Sequence, residues 1–378
     1  MKRRLLVLPL LACFVLALVV GSQPGSAKPR PQPPAGFFGI GPQTPITVQD
    51  LRYMDAGGVE SIRVPVSWAG IQPTRRGGYN WSGLDGIIAA ASAKGMRVLP
   101  FIYGTPPWLA RDWRTLPVDN ARQRAAWRAF LAAAVARYGP GGEFWDQTQS
   151  GGVGPNYEPE PPLFVNPIPI RTWQIWNEPN FFYFAYPATP SRYAKLVKIS
   201  GPAIKQVDPS ATVLLAGLFG EPTAKGPRGM DADLFLKRLY ATPGLKNHFD
   251  AISLHPYAAF TEDLEEMVEG MMEVTLENRD RPRFYITEMG WGSQNNFREV
   301  AFEHGIRGQV KQLRSSYGYL LENLRRLNLK GVYWFSWKDL PGSCNFCDSV
   351  GLFRAGAKFK PKPAWRAFIA LTGGRARP

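Results

Sequence analysis

Cysteine and histidine are scarce in this chain of 378 residues, which holds three of each. Cys13 falls in the apolar opening segment, and His248, His255 and His304 are not spaced as a pair. A structural zinc site takes four ligands, so no metal is expected, and nothing calls for a cofactor. Acidic residues are also in deficit, 30 Asp and Glu against 45 Lys and Arg, for a net charge of +15. The excess suits acidic glycans or an anionic envelope surface. The basic residues are scattered, however, with no long basic run or RNA-type motif, so a merely solvated basic surface is the expected reading and nucleic acid is not an expected partner. A long apolar run is lacking too: the longest, Leu5 to Val20, carries Pro9 and falls short of the ~20 residues a membrane span needs.

What is present begins with that same segment. MKRRLLVLPLLACFVLALVVGSQPGSA has a basic start, an apolar run and small residues ending at Ala27, the pattern of an export signal over residues 1–27. Retention of the run as an anchor is the alternative. A lipid anchor at Cys13 fits less well, because the apolar stretch continues past it. A Pro-rich lead-in follows over 28–35, and residues 36–378 are long enough for one large domain, expected to be a monomer without stable membrane insertion unless the signal is retained. In an exported chain the two remaining cysteines, Cys344 and Cys347 in PGSCNFCDSV, predict a local disulfide.

Short β-branched and aromatic segments alternate with helical periodicity. The strand candidates are 37–40, 61–68, 96–103, 172–177, 212–219, 249–255, 284–288 and 331–337, with amphipathic stretches before the third, fourth, fifth and eighth. Eight strands with helices between them predict an α/β fold, a single closed (β/α)8 TIM barrel, whose chemistry collects at the C-terminal strand ends. The Pro/Gly-rich segment 140–171 reads as a loop, either a wall or lid at the site or a plain insertion.

The predicted strand tips carry the chemistry. Strand four ends in Asn177 and Glu178, strand six in His255 with Tyr257 just beyond, strand seven in Glu288 and strand eight in Trp337, while strand two carries Arg63 and Trp68. On a closed barrel these tips share one rim. Two carboxylates facing a pocket floored by aromatic rings fit glycosidic bond cleavage, in which one donates a proton and the other attacks or supports the sugar carbon. Glu178 lies among indoles and phenyl rings, a setting that raises a carboxyl pKa and suits a general acid.

WNEPN at 176–180 and ITEMGW at 286–291 resemble the two signature segments of clan A glycoside hydrolases, and RVPVSW at 63–68 and HPY at 255–257 resemble two more. The closing GLFRAGAKFKPKPAWRAF is similar to the tail of barrels near families 39 and 5. The resemblance implies a retaining mechanism with Glu178 as acid/base and Glu288 as nucleophile. It further implies that Asn177 bonds the sugar 2-hydroxyl, that Arg63 and Tyr257 hold Glu288 charged, and that His255 lines the same cradle. Trp337 would floor the glycone subsite, with Trp334 as the competing choice, and Trp68 would add to the binding surface. The expected protein is an exported hydrolase of a β-linked oligo- or polysaccharide or related glycoside. The alternatives are a carbohydrate-binding barrel of the envelope that does not cleave, and a surface protein whose barrel is only a scaffold. The sugar, the linkage and exo or endo action are not specified by these motifs.

Overall fold

The computed structural model describes residues 32–43, 45–149, 167–344 and 347–378. The predicted signal and all but the last few residues of the lead-in lie outside them. Eight parallel strands, β1 (Phe38–Gly41), β2 (Ser61–Ser67), β3 (Arg97–Tyr103), β4 (Thr172–Ile175), β5 (Thr212–Phe219), β6 (Ala251–His255), β7 (Arg283–Met289) and β8 (Leu329–Phe335), pair in sequence order. β8 closes on β1, with Phe38 opposite Val332 and Gly41 opposite Phe335. The fold is a single (β/α)8 barrel.

Helices cross between strands where apolar residues recur every three or four positions. In Ala121–Tyr138 the buried face runs Gln123, Trp127, Phe130, Leu131, Ala134, Val135 and Tyr138, and Asn120 caps the start by accepting from Gln123 N. Further helices, Val48–Ala56, Ala232–Tyr240, Thr261–Glu277 and Pro363–Thr372, lie outside the stretches read as helical from sequence. Segment 140–171 was expected to be loop throughout. Its first part is instead a helix, Glu143–Gln149, whose Trp145 donates to Tyr138 O at 2.9 Å and whose Phe144 ring packs on Tyr138. Residues 150–166, on which the wall or lid reading fell, lie outside the described residues.

Strand alternation divides the side chains into two cores. One set, including Ile62, Val64, Val66, Ile102, Ile175, Ile252, Ile286, Val332 and Trp334, packs outward under the helices. The other fills the barrel. At its N-terminal end Leu99, Leu214, Ala251 and Tyr333 form an apolar layer with Tyr285 against it. Above that layer the interior turns polar.

Candidate active site

Arg63 sits at mid-height on β2, 3 % exposed, facing inward by the same parity that sends Ile62 and Val64 outward. Its guanidinium lies over the Phe101 ring, 3.9 Å from the centroid. All three of its nitrogens donate: Nε to Gln174 Oε1 at 2.7 Å, Nη2 to Asn177 Oδ1 at 2.5 Å and Nη1 to Glu288 Oε1 at 2.5 Å. The planar fork thus fixes residues from β4 and β7 relative to one another. Gln174, not singled out from sequence, completes the support by donating to Ser253 Oγ at 2.8 Å and to Thr287 Oγ1 at 3.2 Å.

Glu178 reaches the rim by an irregular route. β4 ends at Ile175, and Trp176 then takes φ 72° and Glu178 φ 38°, both in the left-handed region that non-glycine residues rarely enter. The first departure buries the Trp176 indole outside the barrel, where it donates to Phe184 O at 2.8 Å. Asn177 and Glu178 can then both face the site, which strict alternation forbids. On β7 a register shift against β8 between Ile286 and Met289 does the same for Thr287 and Glu288.

The two carboxylates meet around His255. One oxygen from each glutamate and a ring nitrogen of His255 all lie within 4.8 Å of one another. His255 Nδ1 is 2.7 Å from Glu178 Oε1, and Nε2 is 2.9 Å from Thr287 Oγ1. Tyr257 OH donates to Glu288 Oε2 at 2.6 Å, so each Glu288 oxygen accepts a bond. Gly217 on β5 makes room for this arrangement, since a Cβ there would stand 1.9 Å from His255 Nε2 and 2.6 Å from Thr287 Oγ1. Like Gln174, Gly217 carries no motif, and only the closed barrel shows its role.

The acids occupy different electrostatic settings. Burial pushes the Glu178 carboxyl well above its ordinary value, and the Glu288 charge adds to the rise while Arg63 opposes it. Burial, with help from Arg63, holds the His255 ring well below its usual value, so the ring is neutral. Burial and the facing carboxylates push the Tyr257 phenol well above 10, so it remains a donor. The tautomer in which Nδ1–H donates to Glu178 Oε1 leaves Oε2 to carry an acid proton. Glu178, His255 and Glu288 are also close enough to ligate an ion. The Arg63 cation already occupies one Glu288 oxygen and Glu178 favours its protonated form, so the donor set fits proton transfer better than metal binding.

Two expected site residues lie elsewhere. Trp337 is fully buried outside the barrel, where its Nε1 donates to Asp50 Oδ1 at 2.8 Å and its ring packs on Phe353 and Trp365. β8 ends at Phe335, and period-2 alternation does not extend two residues past a strand end. The competing Trp334 also faces outward, against Trp291. The inward aromatic ring is that of Phe335, edge-on to Tyr257 at 6.2 Å. Trp68 is likewise buried in the outer layer, where it stacks on Phe130 at 5.4 Å. It differs in parity from Arg63, which the sequence alone could have signalled.

Solved structures similar to this one include several glycoside hydrolases. A family 39 glycoside hydrolase from the gut symbiont Bacteroides cellulosilyticus WH2 superposes with a TM-score of 0.63 at 20 % identity, over 90 % of this chain and 64 % of its own. This chain therefore spans less than two thirds of that enzyme. A monomeric β-xylosidase from Caulobacter crescentus CB15 gives 0.60 at 18 % identity, over 89 % and 68 %. The GH53 catalytic domain of Ignisphaera aggregans gives 0.62 at 18 %, over 90 % and 97 %. A family model described as a glycoside hydrolase 42 β-galactosidase matches residues 43–132, which include β2 and Arg63. The chain resembles clan A glycoside hydrolases. No curated protein sequence matches it. The matched residues 43–132 carry neither carboxylate, so the roles of Glu178 and Glu288 rest on the geometry above.

Proposed function

We propose that the protein is an exported, retaining glycoside hydrolase that cleaves a β-linked glycan or glycoside by double displacement. The approach of Glu178 and Glu288 carries this reading. Their oxygens lie within 4.8 Å, near the ~5–5.5 Å separation of retaining enzymes and too close for the water that an inverting pair holds between carboxylate and sugar.

In the first step a Glu288 oxygen attacks the anomeric carbon as the bond to the leaving oxygen breaks, and Glu178 delivers its proton to that oxygen. Arg63 and Tyr257 hold Glu288 in line, and Asn177, fixed by Arg63, presents its amide to the sugar 2-hydroxyl. In the second step Glu178, now ionised, removes a proton from water, whose oxygen displaces Glu288 at the same carbon. Two inversions give net retention, and no cofactor enters either step. The predicted signal and the Cys344–Cys347 bridge support export of a monomer that meets its saccharide outside the cytoplasm. Among the described residues no helix is long and apolar enough to cross a membrane. The structural neighbours, which include a β-xylosidase and an exo-β-1,4-mannosidase, support a glycosidic substrate without choosing the sugar.

The test is hydrolysis of a panel of aryl β-glycosides and plant and bacterial polysaccharides, with the anomeric form of the first product read by proton NMR. A first product of inverted configuration would refute the double displacement. Binding of these sugars without any turnover would refute the enzyme.

A further inference from the structure

The barrel has a second polar mouth. At the N-terminal strand ends, beneath the apolar layer of Leu99, Leu214, Ala251 and Tyr333, lies a cavity of about 120 Å³ with no part in the proposed chemistry. Arg97, Arg171 and Lys330 line it, together with Thr172, Tyr285 and Tyr333. The strand starts bring them together. Arg97 opens β3 two residues before the inward Leu99, and Thr172 opens β4 two residues before the inward Gln174, so both share the inward parity. Lys330 enters through an irregularity: Phe284 pairs with Leu329 and Tyr285 with Gly331, which leaves Lys330 as an extra residue on β8. Glycines leave space for the two phenol rings, since a Cβ on Gly331 would stand 3.1 Å from Tyr285 Cδ1 and one on Gly39 2.3 Å from Tyr333 Cδ1.

The cations at this end lack acidic partners. Arg171 Nη1 donates to Ser210 Oγ at 2.7 Å, and Arg283, at the start of β7, donates from Nη1 to Thr212 Oγ1 at 2.5 Å. Among the described residues none of Arg97, Arg171, Arg283 and Lys330 pairs with a carboxylate. The nearby carboxylates are engaged elsewhere. Glu60 Oε2 accepts from the backbone N–H groups of Gly36 and Phe37 at 2.9 and 2.8 Å, and Asp250 Oδ2 accepts from Val213 N at 2.8 Å and pairs with Lys205 at 2.9 Å. Unpaired cations around a concave, low-dielectric wall focus a positive potential into it. Burial pushes the Tyr285 and Tyr333 phenols up against the opposing charge of Arg97, so both stay protonated and able to donate.

We propose that this mouth is an anion site that takes one phosphoryl group, carried by free phosphate or by a lipid headgroup, at the end of the barrel opposite the two glutamates. At ~30 Å³ per water, the cavity has room for one tetrahedral oxyanion and little more. The guanidinium forks of Arg97 and Arg171 match phosphate oxygens in pairs, Lys330 supplies a point charge, and the hydroxyls donate the remaining bonds. The apolar layer separates the mouth from Arg63, so an occupied site leaves the approach to Glu178 and Glu288 free. Ala35 and Gly36 line the same cavity, and a Cβ on Gly36 would stand 2.6 Å from Arg97 Cδ. A headgroup held here would therefore bring the start of the domain to the lipid surface. The site does not depend on the glycosidase reading.

The experiment titrates inorganic phosphate into the full chain by calorimetry, with sodium chloride adjusted to hold ionic strength constant, for wild type, Lys330→Gln and the double variant Arg97→Gln/Lys330→Gln. Wild type should bind one phosphate per chain, and Kd should weaken about threefold or more in the single variant and about tenfold or more in the double. Phosphate at ten times its Kd should raise the wild-type Tm by roughly 2 °C and leave that of the double variant unmoved. Melting in chloride alone reports whether the variants fold; where Arg97→Gln disturbs the packing on Gly36, Lys330→Gln carries the comparison. Co-sedimentation with phosphatidylglycerol vesicles, against phosphatidylcholine vesicles, separates the sources. Retention on the former that falls severalfold in the double variant identifies a headgroup, whereas saturable phosphate binding with vesicle retention indifferent to the substitutions identifies free phosphate. Phosphate binding of equal strength in wild type and both variants overturns the proposal. So does the absence of any phosphate heat or melting shift in wild type together with vesicle retention that the substitutions leave unchanged.

Discussion

Replacing Arg63 tests the site as a unit. Its Nη1 lies 2.5 Å from Glu288 Oε1 with both side chains buried. At an effective dielectric near 20, unit charges at that distance attract by about 7 kcal/mol, of which desolvation takes back a large part. Removing one member of a buried pair generally costs ~3–5 kcal/mol, because the other charge is left uncompensated. Arg63→Met should therefore lose about that much stability in urea titration unless the stranded carboxylate takes a proton. In that event kcat/KM should collapse instead. Arg63→Lys keeps the charge but cannot bond Gln174, Asn177 and Glu288 at once, so it should fold nearly as well as wild type and still lose at least tenfold in kcat/KM. Urea titration and kcat/KM measured across pH on one aryl glycoside separate these outcomes. If Arg63→Met keeps both wild-type stability and the wild-type pH profile, the account of the cradle is wrong.

The two glutamates should fail differently. Glu288→Ala should be inactive on all substrates until azide or formate restores turnover with an inverted product, whereas Glu178→Ala should be rescued by azide with retention; identical behaviour would undo the assignment of roles. Because burial raises the Glu178 carboxyl well above 4.5, kcat/KM should decline on the alkaline side as that proton is lost, and Glu178→Gln should remove this limb. The same shift makes stability greatest for this group below 4.5 and lost progressively as pH rises toward the folded value, while the depressed His255 ring contributes stability above 6.5 that is lost as pH falls. Urea titrations from pH 4 to 9, with Glu178→Gln flattening the alkaline side, check the sign. Trp337→Ala should cost ~3–5 kcal/mol in folding and spare the turnover of whatever remains folded, while Phe335→Leu should cost roughly 1 kcal/mol and lower kcat/KM about tenfold. The reverse pattern in unfolding and kinetic assays would return Trp337 to the pocket.

Local patterns carry as far as interactions between near neighbours in the chain. The eight strand segments, the main crossover helices and the inward parity of Arg63 follow from spacing alone, because a strand's two faces and a helix's buried stripe are fixed by backbone geometry. Asn177 and Glu178, and His255 with Tyr257, stand out as polar residues at apolar strand ends for the same reason. That Glu178 and Glu288, 110 positions apart in sequence, share one histidine is a consequence of β1 pairing with β8, which no local pattern encodes. The left-handed Trp176 and the shifted register of β7 each place two consecutive residues on one face, which period-2 reasoning excludes. The same reasoning carried Trp337 into the site, although β8 stops at Phe335 and the chain beyond a strand end answers to packing. Gly217 and Gln174 have no signature of their own, and Thr287, although inside ITEMGW, was not singled out, since their roles are set by the volume and hydrogen bonds of side chains that only the closed barrel brings beside them.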